Sequence, residues 1–490
     1  MTRSALRRGL RGVALAASLA PGAVTAQAPE RLVLVGAMLL DGSGGAPLPG
    51  ARIIIENGRF TCVSGPSGCP ALPGDRELDL TGRWLTPGLI DTHVHLPFTL
   101  APEGLPRLQR LRFALGITTV RDGDSRALEA ILAERPGAEN GTRPVPRLVV
   151  AARVTPEYAE RFGAPLGAPL VERLVAMGVD AIKIKEPFDG EIWREEISAA
   201  RAAGRIVYGH TWGGPPPPAF LRGALDEGID GVSHLMAFAL ESQPPGADLT
   251  PPDSAADIWA WHKDLWLSAE PAALDTLIGE LVRRGVWLEP TLAAEYYWGR
   301  PIDPPDGAGF LRQPRRLREL LGLGAEPKAT DPAYPASWAR QSAFVGDFIR
   351  RGGMVVAGTD GASPGIDLHE EMRLIGQAAG VPMAGLVAAT RDAGRAIGRP
   401  DLGTIETGKL ADAVVYAADP LGGPGASVAT VLVIKGGVVH DADSLRAEFQ
   451  AEYQARVRTA WRGRLVRGAK LLGLLLAVAL AGAWLIRRRR

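Results

Sequence analysis

The chain changes rhythm twice. From Arg31 to about Thr86, short segments alternate apolar and polar positions (RLVLVGAMLL, ARIIIENGRF, RELDLTGRWL), with glycine and proline between them. A period of two puts successive side chains on opposite faces, so these segments predict small antiparallel strands. Similar material returns in KLADAVVYAADP and TVLVIKGGVVH, within residues 409–440. Between the two blocks, short apolar and β-branched runs alternate with Ala-, Leu- and Arg-rich stretches that read as helices. Eight such runs stand out: GLIDTHVH (88–95), GITTVRD (116–122), RLVVAAR (147–153), DAIKIK (180–185), RIVYGH (205–210), GVSHL (231–235), GVWLEP (285–290) and MVVAGTD (354–360). Several follow a helical stretch closed by glycine, as in LVAMGVD, ARAAGRI and LVRRGVW, the expected helix stop. Eight strand–helix units predict an α/β fold, a (β/α)8 TIM-type barrel over residues 87–400. The flanking blocks, 29–86 and 401–441, predict a small β-sandwich built from both flanks.

Composition narrows the partners. Lys plus Arg number 55 against 54 for Asp plus Glu, a formal net charge of +1. That balance gives no electrostatic footprint for nucleic acid. The 490 residues alone would suggest roughly three domains, but α/β barrels absorb more than ~200 residues as one unit. Residues 1–28 carry four arginines and then an Ala-rich apolar stretch ending in small residues, the layout of a secretory signal peptide. Residues 471–486, LLGLLLAVALAGAWLI, are followed by Arg487 to Arg490. Such a helix reaches about 24 Å, short of the ~30 Å hydrocarbon core, but flanking cations can snorkel. The expectation is therefore an exported, periplasmic or extracytoplasmic protein. A juxtamembrane helical segment (442–470) and a C-terminal transmembrane helix would anchor it in the membrane. Cys62 and Cys69, the two cysteines, flank a Gly/Pro/Ser-rich turn and are expected to form a disulfide in such a compartment.

The chemistry gathers at the strand ends. A barrel interior is packed with branched apolar side chains, and the C-terminal rim is where such barrels place active sites. His93 and His95 leave the first strand on the same side, with Cβ atoms about 7 Å apart, within reach of one metal ion. Lys183 or Lys185 ends the fourth strand, His210 the fifth, His234 the sixth and Asp360 the eighth. Four of the seven histidines fall on these ends. Taken singly, His210 and His234 also fit satisfied core histidines, Asp360 fits a turn, and IKIK fits a half-exposed strand with a solvated lysine face. Jointly, in barrel order, they point to metal binding.

At this point the chain resembles the amidohydrolase superfamily, specifically its imidazolonepropionase-like and prolidase-like secreted branch. The resemblance is carried by TPGLIDTHVHL (86–96), GITTVRD (116–122), GVDAIKI (178–184), GHTWG (209–213), SHL (233–235), AGTDG (357–361) and GTIETGKLADAVVYAADPL (403–421). It implies two divalent metal ions, zinc suiting the donors best. The more buried ion would be bound by His93, His95 and Asp360, and the second by His210 and His234. A carboxylated lysine would bridge them, Lys183 matching the pattern and Lys185 remaining a rival with the same facing. The implied function is metal-dependent hydrolysis of an amide-type C–N bond, peptide-like, N-acyl or cyclic. A hydroxide shared by the two ions would attack, and Asp360 would move the proton. Ester or lactone hydrolysis would use the same site, and a deaminase with one metal is the alternative. That alternative lacks the expected glutamate after His210, where the chain reads TWGGPPPP. A non-catalytic barrel would have lost ligands, and all six positions are filled.

Two departures stand out. The third strand continues as AARVTPEYAERFG without a Gly-Gly-His segment, which weakens a dipeptidase assignment. The usual Glu-His of strand six is Ser233-His234, so the ligand is expected to survive while its surroundings change. His262, His369 and His440 lie outside the ligand pattern, with His369 expected to contact structure near the eighth loop. Residues 241–345 hold Trp259, Trp261, Trp266, Trp287, Trp298 and Trp338. These either line a pocket for a bulky or apolar small-molecule substrate or pack long loops together.

Overall fold

The structure is a computed structural model. It describes residues 31–96, 104–123, 127–184, 192–212, 220–252, 255–297, 331–361, 365–422, 425, 429–452, 454–455, 458–459 and 488. Five strands open the chain: β1 (Leu32–Leu39), β2 (Leu48–Glu56), β3 (Arg59–Ser64), β4 (Arg76–Asp79) and β5 (Trp84–Pro87). Seven parallel strands follow: β6 (Leu89–Val94), β7 (Ile117–Asp122), β8 (Arg147–Arg153), β9 (Ala181–Ile184), β10 (Ile206–Gly209), β11 (Gly231–Ser233) and β12 (Trp287–Glu289). Three more close the described fold: β13 (Ala413–Tyr416), β14 (Thr430–Lys435) and β15 (Val438–Asp441).

The parallel strands pair in sequence order from β6 to β12. Met354 to Asp360 closes the gap between the two edges with few ladder bonds. Leu288 N–H donates to the Met354 carbonyl (2.9 Å) and Val356 N–H to that of Leu288 (2.9 Å). On the far side, Thr92 N–H donates to Ala357 (3.0 Å) and Asp360 N–H to His93 (2.9 Å). The fold is thus α/β, a TIM-type barrel with a second sheet beside it. Glycine ends the intervening helices where the sequence expects it. Gly178 and Gly285 take φ of 95° and 69° and return their N–H groups to the last helical turn, a left-handed cap that L side chains disfavour.

The flanking segments join through β5 and β13 into one eight-stranded sheet, ordered β15-β14-β13-β5-β1-β2-β3, with β4 added on β1. Alternation explains its packing. Ile53 and Ile55 enter one apolar cluster with Leu34, Phe60 and Val415. Ile54, on the opposite face, packs with Val33 and Cys69. Cys62 and Cys69 form the disulfide.

The C-terminal membrane anchor is corrected. Among the described residues no helix is long and apolar enough to cross a membrane. Residues 471–486 lie outside the described residues, and sixteen residues reach only about 24 Å against a ~30 Å core. Membrane anchoring is therefore not supported among the described residues, and nothing in them shows the expected export. Residues 1–28, the expected signal peptide, also lie outside the described residues.

Candidate metal centre

The barrel strands run parallel, so their C-terminal ends share one mouth. His93 lies near the end of β6 and is buried. His95 follows the strand, its side chain 36% exposed. Lys183, in β9, is buried to 1%. His210 follows β10. His234 follows β11 with φ 66°, and Asp360 ends the closing segment with φ 44°. A positive φ at a non-glycine residue is strained, and here it turns the chain at the rim.

The six side chains converge. Asp360 Oδ1 lies 3.0 Å from His95 Nε2 and 3.9 Å from His93 Nε2, and Oδ2 lies 3.8 Å from His234 Nε2. Ligand atoms of His93, His95 and Asp360 fall within 4.8 Å of one another. Ring centroids of His93 and His234 are 5.1 Å apart, and those of His210 and His234 4.5 Å. Lys183 Nζ is 2.9 Å from His93 Nε2. Burial does not separate the two implied cation positions by depth, because His95 is more exposed than His234, at 36% against 14%. Lys185 lies outside the described residues, as does the GGPPPP segment after His210.

Electrostatics favour cation binding. Burial and the neighbouring Lys183 push the His93 imidazole below its ordinary pKa, and burial pushes His234 down to about 4. Near neutral pH both rings are uncharged and keep a lone pair. Burial alone would raise the Asp360 carboxyl, but the imidazoles of His93, His95 and His234 hold it well below its usual range. Neutral imidazoles around an ionised carboxylate form a donor set suited to a divalent ion. The Lys183 amine lies against the His93 ring nitrogen at the edge of this set.

Beneath the mouth lies a polar layer to which the sequence pattern assigned no role. Glu289, in β12, is fully buried. Its Oε1 accepts from Arg121 (2.6 Å) and Thr92 (2.5 Å), and its Oε2 from Ser233 (2.6 Å) and His93 Nδ1 (2.8 Å). Arg121 also donates to the Thr92 carbonyl (2.7 Å) and stacks 3.7 Å over the Tyr208 ring. Thr291 Oγ1 sits 2.8 Å from His234 Nδ1. The signal was present: Arg121 in TTVRD and Glu289 in VWLEP place charge where a barrel strand should be apolar.

The other histidines are held by structure. His369 Nε2 meets the Leu115 carbonyl at 2.9 Å and His440 Nε2 the Gly141 carbonyl at 2.8 Å. His262 accepts from Trp266 Nε1 at 2.9 Å. Trp266 and Trp287 are buried in the core, which favours packing over pocket lining for these two. Trp338 packs on Tyr296 with centroids 4.9 Å apart. Trp298 lies outside the described residues.

No family model matches the chain. Among curated proteins it is 28% identical over 218 residues to an adenine deaminase of Rubrobacter xylanophilus, covering 41% of this chain and 35% of that protein. It is 28% identical over 201 residues to an imidazolonepropionase of Cupriavidus necator, covering 39% and 42%. The chain thus spans less than half the length of these two relatives. Among solved structures, molinate hydrolase superposes with a TM-score of 0.59 at 20% identity, over 86% of this chain and 96% of that one. The barrel, the ordered strand-end residues and these relatives together support placing the chain in the amidohydrolase superfamily.

Proposed function

We propose that the protein is a metal-dependent amidohydrolase that cleaves an amide-type C–N bond of a small molecule. One observation carries this: the Nε2 atoms of three histidines from two different strand ends face a single carboxylate, Asp360, with His210 and Lys183 beside them. His93, His95 and Asp360 would hold one divalent ion, and His210 with His234 a second. Zinc suits this mix of imidazole and carboxylate best. Lys183, once its neutral amine has added CO2 and lost a proton, would offer a bridging carboxylate; burial favours the neutral amine this requires. When bound, the ions supply Lewis acidity toward the scissile carbonyl and toward water.

The remaining steps belong to the chain. Asp360, ionised and at the mouth, takes a proton from the attacking water and passes it to the leaving nitrogen. His95 and Asp360, the more exposed members, face the side from which substrate enters. The match to an imidazolonepropionase, whose name describes action on a cyclic substrate, keeps cyclic amides in the panel beside N-acyl amino acids and dipeptides. Lactones test the ester alternative.

The test is metal counting with turnover of that panel by zinc-loaded protein. Two zinc ions per chain with amide hydrolysis support the proposal. One ion per chain with ammonia released from an aminopurine would replace it with a deaminase.

A further inference from the structure

Strand β12 contributes nothing to the ligand set, yet the segment Glu289-Pro290-Thr291 touches two of its members. Glu289 Oε2 meets His93 Nδ1 at 2.8 Å, and Thr291 Oγ1 meets His234 Nδ1 at 2.8 Å. Glu289 ends β12 and Thr291 follows two positions on, where a turn at φ 50° brings its hydroxyl to the same side. We infer that this segment is the orienting element of the metal centre, setting the tautomer of one imidazole at each proposed cation position and aiming both Nε2 lone pairs at Asp360. The inference rests on the two-metal proposal above and adds positioning residues to it.

Donor and acceptor chemistry carries the point. A neutral imidazole has one N–H and one lone pair, and its neighbours decide which nitrogen holds the proton. An ionised carboxylate can only accept, so the nitrogen of His93 facing Glu289 must be N–H and Nε2 must be bare. Thr291 reaches the same result by another route. Its hydroxyl proton is directed to the Pro290 carbonyl at 2.8 Å, which leaves an oxygen lone pair toward His234 Nδ1. That nitrogen must then donate, and Nε2 is again free.

The supports of each residue point the same way. Glu289 is kept an acceptor by Arg121, whose guanidinium is itself fixed by the Thr92 carbonyl and the Tyr208 ring. Ser233, immediately before His234, donates to the same oxygen as His93. Thr291 is a β-branched residue at φ 50°, a backbone position that such side chains avoid. The strain places its hydroxyl against the ring, which is how strained residues at functional sites are commonly used.

The experiment uses the full chain in three variants: Glu289→Gln, Thr291→Val and Thr291→Ser. Zinc affinity at each position is read by chelator competition, and ring tautomers by nitrogen NMR of histidine-labelled protein. Thr291→Val keeps size and branching and should weaken one ion by about 10- to 100-fold while sparing the other. Thr291→Ser should restore it. Glu289→Gln should weaken the opposite ion by a similar factor. If Glu289→Gln fails to fold, the Thr291 pair still decides. Wild-type affinity at both positions in Thr291→Val, or equal loss of both ions, overturns the inference. So does an Nδ1 without a proton on His93 or His234. A wild-type chain that binds no zinc defeats the metal proposal instead, and the tautomer signals then judge the orienting role independently.

Discussion

Two buried ion pairs sit at opposite ends of the same barrel, and they are used differently. At the mouth, Arg121 meets Glu289 at 2.6 Å with both side chains fully buried. At the foot, where β8 begins, Arg147 meets Asp412 at 3.0 and 3.2 Å, with side chains 3% and 4% exposed. Around Glu289 the donors are side chains, and one of them is a ring aimed at Asp360. Around the foot pair the further partners are mostly backbone, with the half-exposed Glu139 carboxylate 3.1 Å from Arg147. Asp412 also accepts from Gly436 N–H at 2.8 Å, and Arg147 reaches the Glu139 carbonyl. Nearby, Lys435 of β14 donates to the carbonyls of Ala138 and Val145 at 2.5 and 2.7 Å. Backbone partners join the flanking sheet to the barrel, whereas side-chain partners hold a reactive geometry. Burial and charge alone do not distinguish the two. What the neighbours are does.

The largest expected effect breaks the mouth without touching the foot. Asp360→Asn should lower kcat by about 10³-fold or more, since a positioned proton carrier is worth that much, with little change in Tm. Retained turnover of an identified substrate would remove Asp360 from the proton path. Asp412→Ala is the converse. It leaves the buried Arg147 guanidinium with only the half-exposed Glu139 carboxylate and should cost about 3 kcal/mol of stability, measured by denaturant unfolding, while kcat of the folded fraction stays unchanged. A fall in kcat would mean that the two ends are coupled. Lys183→Ala comes next, with a loss of roughly 10²-fold in affinity for both zinc ions, since a bridge serves both, at or above what outer partners of a ligand cost. Loss after Lys185→Ala, with Lys183→Ala unaffected, would move the bridge to the other lysine.

Legibility followed the strength of local pattern. Seven of the eight strands read from the sequence are ladder strands, because β-branched runs and glycine stops are local signals. Met354 to Asp360 aligns in the eighth position with only an isolated bridge to Leu288. Five of the polar strand-end residues could be collected from their places at the strand ends, because the barrel brings every strand end to one rim, while the preference for Lys183 over Lys185 rests on the resemblance. Glu289, Arg121 and Thr291 could not be given roles that way. Their contacts span 56 to 197 residues for Glu289 and 57 for Thr291, and nothing local says which buried charge meets which ring. The chemistry of the departure at strand six was half visible. Ser233 stands where a glutamate was expected, and the carboxylate beside His93 comes from β12 instead. The membrane anchor was the misreading, built on hydropathy in a segment too short to bridge the apolar core unaided.

A third buried carboxylate sharpens the contrast, because no cation is paired with it among the described residues. Glu196, on the helix Ile192–Ala202, is 4% exposed. Burial raises its pKa from 4.5 to about 8, a backbone hydrogen bond from Gly167 opposes this, and neighbouring Glu195 adds to it. Glu289, equally buried, is held below the usual carboxylate range, because Arg121 and the His93 and Ser233 donors outweigh its burial. The sign for Glu196 follows from proton counting. Between pH 4.5 and about 8 the folded chain keeps this proton and the unfolded chain releases it, so this residue makes stability fall as pH rises, levelling off above 8. Glu196→Gln removes that slope. The variant should match the parent near pH 4.5 and exceed it at pH 8.5 by on the order of 2 kcal/mol, allowing for partial relaxation of the charged side chain toward solvent. Unfolding midpoints at the two pH values measure it. Parallel profiles for variant and parent would mean that Glu196 finds a stabilising partner when ionised, and that a buried carboxylate in this barrel does not need a guanidinium beside it.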